Sequence, residues 1–134
     1  GKLESDFETE CVRRTKINSG VAARSTMNCD TPCPKYENAM RVLGKKWTCL
    51  ILRCLLAEPR RFTEISGYID GLSDRLLSQR LQELEEEGIV QRRVFDRRPV
   101  VVEYSLTPKG QAFREVAQAI QVWADEWAGT PAAV

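Results

Sequence analysis

The sequence predicts a mostly α-helical fold that carries one small β-hairpin. Apolar residues recur at helical spacing in several segments, and two neighbouring segments alternate between apolar and polar residues as strands do. The predicted helices lie near residues 34–44, 46–57, 63–69, 73–88 and 107–127, with a short strand at 60–62 and hairpin strands at 89–95 and 100–106. This order of elements is that of a winged helix-turn-helix with a flanking helix at each end.

The second helix of the helix-turn-helix has the clearest local signals in the sequence. Ser73 is the expected N-cap, since its hydroxyl can accept a hydrogen bond from an amide of the first turn. Leu77, Leu81 and Leu84 follow at spacings of i, i+4 and i+7, which places them on one apolar stripe. Gly88 supplies the left-handed residue that often ends a helix.

The opposite side of this helix carries side chains that can donate hydrogen bonds to base edges and phosphates. The candidate DNA contacts are Ser73, Arg75, Ser78, Gln79, Arg80 and Gln82. We expect Arg75, Ser78 and Gln79 to face bases, and we expect Arg80 and Gln82 to contact the DNA backbone. This pattern is typical of a recognition helix in the major groove.

The hairpin after this helix is basic, although the chain as a whole is not. Its 20 Lys and Arg oppose 19 Asp and Glu, a net charge of +1, so a nucleic-acid footprint must be local. The hairpin holds Arg92, Arg93, Arg97 and Arg98. We expect Arg97 and Arg98, at the tip of this wing, to enter or straddle the minor groove. Charge counting alone favours the alternative, a solvated charged surface without a partner.

The composition argues against several classes of function. The chain has five cysteines and no histidine, so a Ser-His or Cys-His nucleophile pair is impossible and a zinc site is not expected. No phosphate-binding glycine loop of the P-loop or Rossmann type occurs. We therefore expect no enzyme activity, no metal and no cofactor. No apolar run approaches the ~20 residues of a membrane span and no secretory signal is visible, so we expect a cytoplasmic protein without membrane contact.

Cys33 is the candidate redox-sensing residue. It precedes Pro34, which fits the first position of a helix, so Cys33 is expected to be the N-cap of the first helix. The partial positive charge at a helix start favours a thiolate, which reacts with electrophiles and oxidants. Cys29 or Cys49 is a candidate resolving thiol for an oxidised Cys33. The alternative for Cys33 is an inert cysteine used as a small apolar residue, which is what we expect of Cys54.

Apolar residues on the two terminal helices predict a subunit interface. The rest of the domain already has enough apolar residues for its own core, so large side chains on the last helix are better used between subunits. The interface candidates are Tyr36, Met40, Ile120, Trp123 and Trp127. On the second helix, by contrast, the predicted buried stripe consists of Trp47, Leu50, Ile51, Cys54 and Leu55.

Residues 1–28 are polar and poorly periodic, and we expect them to be a flexible leader. The folded domain is expected to span residues 29–130. Met27 is a candidate first residue of the natural protein, in which case the residues before it are a leader added for expression.

Several stretches of the chain resemble the HxlR-type regulators, which are relatives of the MarR group. These stretches are CPKYENAMRVLGKKW, RRFTEI, GLSDRLLSQRLQELEEEGIV, PVVVEYSLTPKG and WADEW, and the resemblance covers about residues 29–127. It implies a homodimeric bacterial transcription regulator, often a repressor, that dimerises through its terminal helices. Several members sense quinones, diamide or other electrophiles through an N-terminal cysteine before a proline, which Cys33-Pro34 matches. The long segment before Cys33 departs from the family pattern.

Together, the residues and the resemblance predict a homodimeric repressor that reads a pseudo-palindromic operator in double-stranded DNA. Modification of Cys33 by an oxidant or a small electrophile is expected to release the operator. One alternative is the same fold regulated by a non-covalent small ligand. Another is a winged-helix adaptor used only for protein contact, against which the four hairpin arginines argue.

Overall fold

The computed structural model describes residues 27–129. They fall into two compact units, one that ends at Lys45 and one that begins at Lys46. The first contains helix α1 (Pro34–Leu43). The second contains α2 (Thr48–Ala57), β1 (Arg60–Arg61), α3 (Phe62–Tyr68), α4 (Asp74–Glu86), β2 (Val90–Phe95), β3 (Val101–Leu106), α5 (Pro108–Gln111), α6 (Phe113–Trp123) and a π-helical turn (Ala124–Ala128). None of the helices in residues 27–129 is long and apolar enough to cross a membrane.

Helix α1 begins and ends where its sequence signals predict. Cys33 is its N-cap with an extended backbone, and Pro34 occupies the first turn, where a missing amide proton costs nothing. The amide of Glu37 donates to the Cys33 carbonyl at 3.0 Å. The Gly44 amide donates to the Met40 carbonyl at 2.7 Å and ends the helix. The predicted N-cap position of Cys33 is therefore confirmed.

The core of the second unit lies among α2, α3 and α4. Its fully buried side chains are almost all aliphatic, and they include the predicted leucine stripe of α4. These side chains are Thr48, Ile51, Leu52, Cys54, Leu55, Ile65, Leu77, Leu81 and Leu84. Two expectations for α2 were wrong: Leu50 is 44% exposed, and Trp47 precedes the helix rather than belonging to it. Leu52 is fully buried instead, because Thr48, Ile51, Leu52 and Leu55 lie on one side of α2, and Leu50 lies outside that side.

Helix α4 follows its predicted caps closely. The Ser73 hydroxyl accepts a hydrogen bond from the Leu76 amide at 3.2 Å, which satisfies one of the first-turn donors. At the other end, Gly88 has a φ of 73°, a left-handed conformation that glycine adopts without steric cost. The Ile89 amide then donates to the Leu84 carbonyl at 2.9 Å. Both ends of α4 are therefore fixed by residues within or next to it.

The wing is part of a three-stranded antiparallel sheet with strand order β1-β3-β2. In the hairpin, Arg92 is opposite Tyr104 and Arg93 is opposite Glu103. Strand β1 pairs with the free edge of β3, so that Arg60 is also opposite Tyr104. The predicted short strand and hairpin are confirmed, and their pairing completes a mostly α-helical winged helix-turn-helix.

Helix α5 begins in contact with the residues that follow the end of α4. The Thr107 hydroxyl caps α5 by accepting from the Gly110 amide at 3.2 Å, as predicted. Lys109 Nζ donates to the Glu87 carbonyl at 2.7 Å. A Cβ on Gly110 would collide with the Ile89 carbonyl and touch Leu106, so only glycine permits this close approach.

The expected single C-terminal helix is instead divided into three segments. It is interrupted at Ala112, and a π-helical turn follows Trp123. The interruption is local, because Ala112 keeps right-handed helical angles (φ −62°, ψ −19°). The chain therefore continues through this turn into α6.

Candidate nucleic-acid interface and thiol site

The outer face of α4 carries polar side chains that the protein itself does not use. Arg75, Ser78, Gln79 and Gln82 are all exposed. Their side chains take part in none of the hydrogen bonds or ion pairs described for residues 27–129. Three of the four carry N–H donors in fixed planar groups, the geometry that reads base edges. This face is therefore free to bind a partner rich in hydrogen-bond acceptors.

Ser73 has the predicted capping role, which is confirmed, and its predicted DNA contact stays a prediction. Its oxygen caps α4, while Asp74 accepts a hydrogen bond from the Ser66 hydroxyl of α3 at 3.0 Å. The first bond closes the start of α4, and the second fixes that start relative to α3. Ser73 is exposed, so its own hydroxyl proton can still be donated to an acceptor outside the protein.

Arg80 differs from the expectation, because its guanidinium is used inside the protein. Its Nε donates to the Lys46 carbonyl at 3.0 Å, and its Nη1 lies 2.8 Å from Glu83 Oε1 in an ion pair. The Arg80 side chain is only 14% exposed. We therefore replace the predicted backbone contact of Arg80 with a structural role.

Arg80 donates a hydrogen bond to the loop that contains Lys46 and Trp47, which packs against the turn before α4. Trp47 in this loop has a φ of 80°, which is rare for a residue with a side chain. Its ring lies next to Gly71, where an added Cβ would be 3.6 Å from Trp47 Cη2. The Lys46 ammonium lies 4.9 Å from the centre of the same ring. This loop contacts both the turn before α4 and α4 itself, and no sequence pattern predicted these contacts.

The wing presents four arginines that form no ion pair within residues 27–129. Arg92, Arg93, Arg97 and Arg98 are exposed, as expected. Within residues 27–129 the ion pairs join Arg60 to Glu58 and Arg80 to Glu83, so none involves the wing arginines. The wing therefore retains a concentrated positive charge in a chain of nearly zero net charge, which suits a polyanion.

The cysteines of the described residues differ in state. Cys33 is disulfide-bonded. Cys29 is an exposed free thiol and Cys54 a buried one, while Cys49 carries a titratable thiol. Neither Cys29 nor Cys49 is therefore the partner of Cys33 in this structure, and the expectation that one of them resolves it finds no support here. Cys11 lies outside the described residues.

Burial makes two of these thiols poor nucleophiles. It raises the pKa of the Cys49 thiol above its ordinary value. It also raises the pKa of Cys54, where nearby Arg60 acts in the opposite direction and Glu64 in the same direction. A higher pKa leaves less thiolate at neutral pH and therefore slows reaction with electrophiles. The prediction that Cys54 is a core residue is confirmed by its 1% exposure.

The two terminal helices expose large apolar side chains. On α1, Tyr36 and Met40 are exposed. On α6 and the turn after it, an exposed stripe at spacings of i, i+4, i+7 and i+11 consists of Val116, Ile120, Trp123 and Trp127. Trp123 and Trp127 are 62% and 70% exposed in the single chain. Tryptophan is among the residues that contribute most to binding energy at protein interfaces. All five predicted interface residues are thus exposed in one chain, and Val116, which was not among them, is exposed beside them.

The other side of α6 is attached to its own chain. Phe113 is buried, and Arg53 Nη1 donates to Gln121 Oε1 at 2.6 Å. Arg114 Nη2 donates to the Leu56 carbonyl at 2.7 Å. These contacts hold α6 against α2, so the exposed stripe is presented on a fixed helix.

The chain is similar in sequence to known transcriptional regulators. A family model described as HxlR-like helix-turn-helix matches residues 42–131. The regulator YvaP of Bacillus subtilis (strain 168) is 46% identical over 101 residues, which cover 75% of this chain and 94% of YvaP. The HTH-type transcriptional regulator YodB of the same strain is 46% identical over 98 residues, which cover 73% of this chain and 88% of YodB.

Solved structures of YodB from B. subtilis share the fold. The reduced form has a TM-score of 0.67 at 44% identity, covering 75% of this chain and 100% of that chain. The diamide-treated form has a TM-score of 0.62 at 45% identity, covering 72% and 96%. The quinone-bound form has a TM-score of 0.63 at 44% identity, covering 72% and 100%.

Proposed function

Because the chain belongs to the HxlR family of helix-turn-helix transcriptional regulators, we propose that it is a sequence-specific DNA-binding repressor whose operator binding is controlled at Cys33. The family is one of regulators and not of enzymes. One observation supports DNA binding: hydrogen-bond donors and positive charges are exposed on both α4 and the wing. The exposed donors of α4 bond to no other residue within 27–129, and the wing arginines form no ion pair with a carboxylate there. A protein that regulates transcription in this way acts in the cytoplasm of a bacterium, where the DNA is.

In this proposal α4 enters the major groove and the wing contacts the minor groove. Arg75 and Gln79 lie one turn apart on the exposed face of α4. Arginine pairs in a bidentate manner with guanine, and glutamine pairs with adenine. Ser78 lies beside them, and Gln82 follows towards the backbone. Arg97 and Arg98, after the end of β2, supply charge that positions the protein without reading sequence.

The repressor acts as a homodimer on a pseudo-palindromic operator. The exposed apolar stripe of α6 and the exposed Tyr36 and Met40 of α1 support a subunit interface, since a run of large apolar side chains along one exposed helix face is typical of an interaction surface. A two-fold axis then places the two recognition helices in half-sites one turn of DNA apart, about 34 Å. Each half-site is read by the same α4 face.

Cys33, which is disulfide-bonded in this structure, supplies the switch through its reduced form. It caps the helix that carries Tyr36 and Met40, so an adduct or disulfide on its sulfur adds bulk or a crosslink next to the proposed interface. A change in the interface alters the spacing of the two recognition helices. Moving a dimer from mostly competent to mostly incompetent takes a differential of about 5.5 kcal/mol, which a covalent change can supply. The similarity to YodB supports this proposal, because YodB has been solved reduced, after diamide treatment and with bound quinone.

The test is a gel shift with the DNA upstream of the protein's own gene across a diamide and a quinone titration. We expect Cys33→Ser to bind this DNA and to keep it at oxidant concentrations that release the wild type. Cys29→Ser is the matched control, since it removes an exposed thiol four residues away, and Cys54→Ser removes a buried one. Both should still release the DNA.

Release of Cys33→Ser at the wild-type oxidant concentration would remove Cys33 from the switch. A non-covalent ligand would then be the regulator to look for. Where a disulfide forms, dithiothreitol should restore binding, and peptide mapping without a reducing agent identifies the partner of Cys33.

A further inference from the structure

The tip of the wing is built around one aromatic ring. The Arg93 and Arg97 guanidinium carbons lie 5.9 Å and 5.2 Å from the centre of the Phe95 ring. Both distances are within the ~6 Å range in which a cation is attracted to an aromatic face. Arg93 and Phe95 are two residues apart on β2 and so share one face of the strand. The Arg97 amide also donates to the Phe95 carbonyl at 2.9 Å, which places Arg97 next to the ring.

This arrangement gathers positive charge without neutralising it. Glu103 lies opposite Arg93 in the hairpin, but neither guanidinium forms an ion pair or a side-chain hydrogen bond among residues 27–129, and the Phe95 ring is the group there that both arginines approach. Two like charges on one ring repel each other, and the repulsion is relieved when an anion binds beside them. The arrangement therefore suits a polyanion better than it suits the isolated protein.

We infer that Phe95 is the positioning residue of the wing, because its ring holds Arg93 and Arg97 in place before DNA arrives. This inference rests on the proposed DNA binding and deepens it. A free arginine loses much rotamer freedom when it binds a phosphate, and an arginine that already lies on a ring has lost part of it. The number of charges that meet the DNA stays the same whether or not the ring is present.

A wing variant can change two separate quantities, the salt dependence of the affinity for DNA and the affinity at one salt concentration. The slope of log affinity against log salt counts the phosphates neutralised. The affinity at a fixed salt concentration also includes the cost of ordering the side chains. Loss of the ring should therefore lower affinity and leave the slope unchanged, whereas loss of an arginine lowers both.

The experiment measures binding of the full chain to a 40-base-pair duplex of mixed sequence at several salt concentrations. We expect Phe95→Leu to bind roughly 3- to 10-fold more weakly at fixed salt with the wild-type slope, since each exposed cation–π contact is modest. Phe95→Tyr should stay within about twofold of the wild type, and Phe95→Trp should bind at least as tightly, because a tryptophan ring attracts cations best. Val94→Ala is the matched control: Val94 is exposed on the other face of the same strand, so its loss should change neither quantity.

Nitrogen-15 relaxation of the arginine side chains in the DNA-free protein gives a second readout. The Nε–H groups of Arg93 and Arg97 should be ordered in the wild type and mobile in Phe95→Leu, while those of Arg92 and Arg98 should not differ between the two proteins. Wild-type affinity of Phe95→Leu, a shallower slope, or equal mobility of Arg93 and Arg97 in both proteins would each overturn the inference. Failure of the wild type to bind the duplex at low salt would instead overturn the proposed function, and the relaxation data would still decide whether the ring orders the arginines.

Discussion

The outer face of α4 and the exposed stripe of α6 are both surfaces without a partner in the described chain, but their chemistry is opposite. The α4 face consists of uncommitted hydrogen-bond donors, whereas the α6 stripe consists of valine, isoleucine and tryptophan side chains. Donors in water lose little by staying exposed, whereas large apolar groups gain free energy by leaving water. The comparison indicates two different partners, a polar polyanion for α4 and a second apolar surface for α6.

The largest effect is expected at the apolar stripe. Ile120→Asp places a charge in the proposed interface, so it should convert a dimer into monomers and lower operator affinity roughly 100-fold or more, since two linked half-sites no longer bind together. Analytical ultracentrifugation and a gel shift measure the two consequences. Val122→Asp is the matched control, because Val122 is also a β-branched apolar residue exposed on α6 but lies about 200° round the helix from Ile120. Equal behaviour of the two variants would show that this stripe is not the interface.

A smaller, sequence-independent effect is expected at the wing. Arg97→Ala combined with Arg98→Ala should weaken binding to every DNA sequence and make the log-log salt slope shallower by roughly 2 per subunit. Binding to operator and to unrelated DNA across a salt series checks this. An unchanged slope would show that the wing tip does not neutralise DNA phosphates, even if the affinity at one salt concentration fell.

Arg75 and Arg80 lie on the same helix, but of the two only the Arg80 guanidinium bonds within residues 27–129. Arg80→Met keeps the aliphatic stem but removes the hydrogen bond to the Lys46 carbonyl and the ion pair with Glu83, so it should lower the free energy of unfolding by about 1–3 kcal/mol. Arg75→Met removes an exposed, uncommitted guanidinium and should change stability by less than about 0.5 kcal/mol. Urea unfolding of the two variants measures the difference. Similar losses of stability would mean that the internal contacts of Arg80 contribute little.

These residues also show which parts of the molecule the sequence predicts. The caps of α4 and α1 were predictable, because Ser73, Gly88 and Pro34 act on backbone groups within a few residues of themselves. The exposed donors of α4 followed from helical periodicity alone. The hydrogen bond from Arg80 was not predictable from the sequence, since its acceptor, the Lys46 carbonyl, lies 34 residues earlier in the chain.

Contacts between distant elements account for the other differences. The exposure of Leu50 was missed because it depends on where α2 begins and on what packs against it, which periodicity does not specify. The pairing of β1 with β3 joins residues more than 40 positions apart. The role of Phe95 depends on two arginine side chains converging on one ring, and an isolated aromatic residue in a basic strand gives no such signal.

The central claim is that the exposed face of α4 reads bases, and selection of binding sites from a random DNA pool tests it most directly. The wild type should select a pseudo-palindrome with half-sites about 34 Å apart. Arg75→Ala and Gln79→Ala should each lose preference at particular positions of both half-sites, by about 1–3 kcal/mol for a good bidentate contact, and keep it at the others. If both variants select the wild-type sequence with undiminished preference, the exposed face of α4 does not lie in the groove and the account is contradicted.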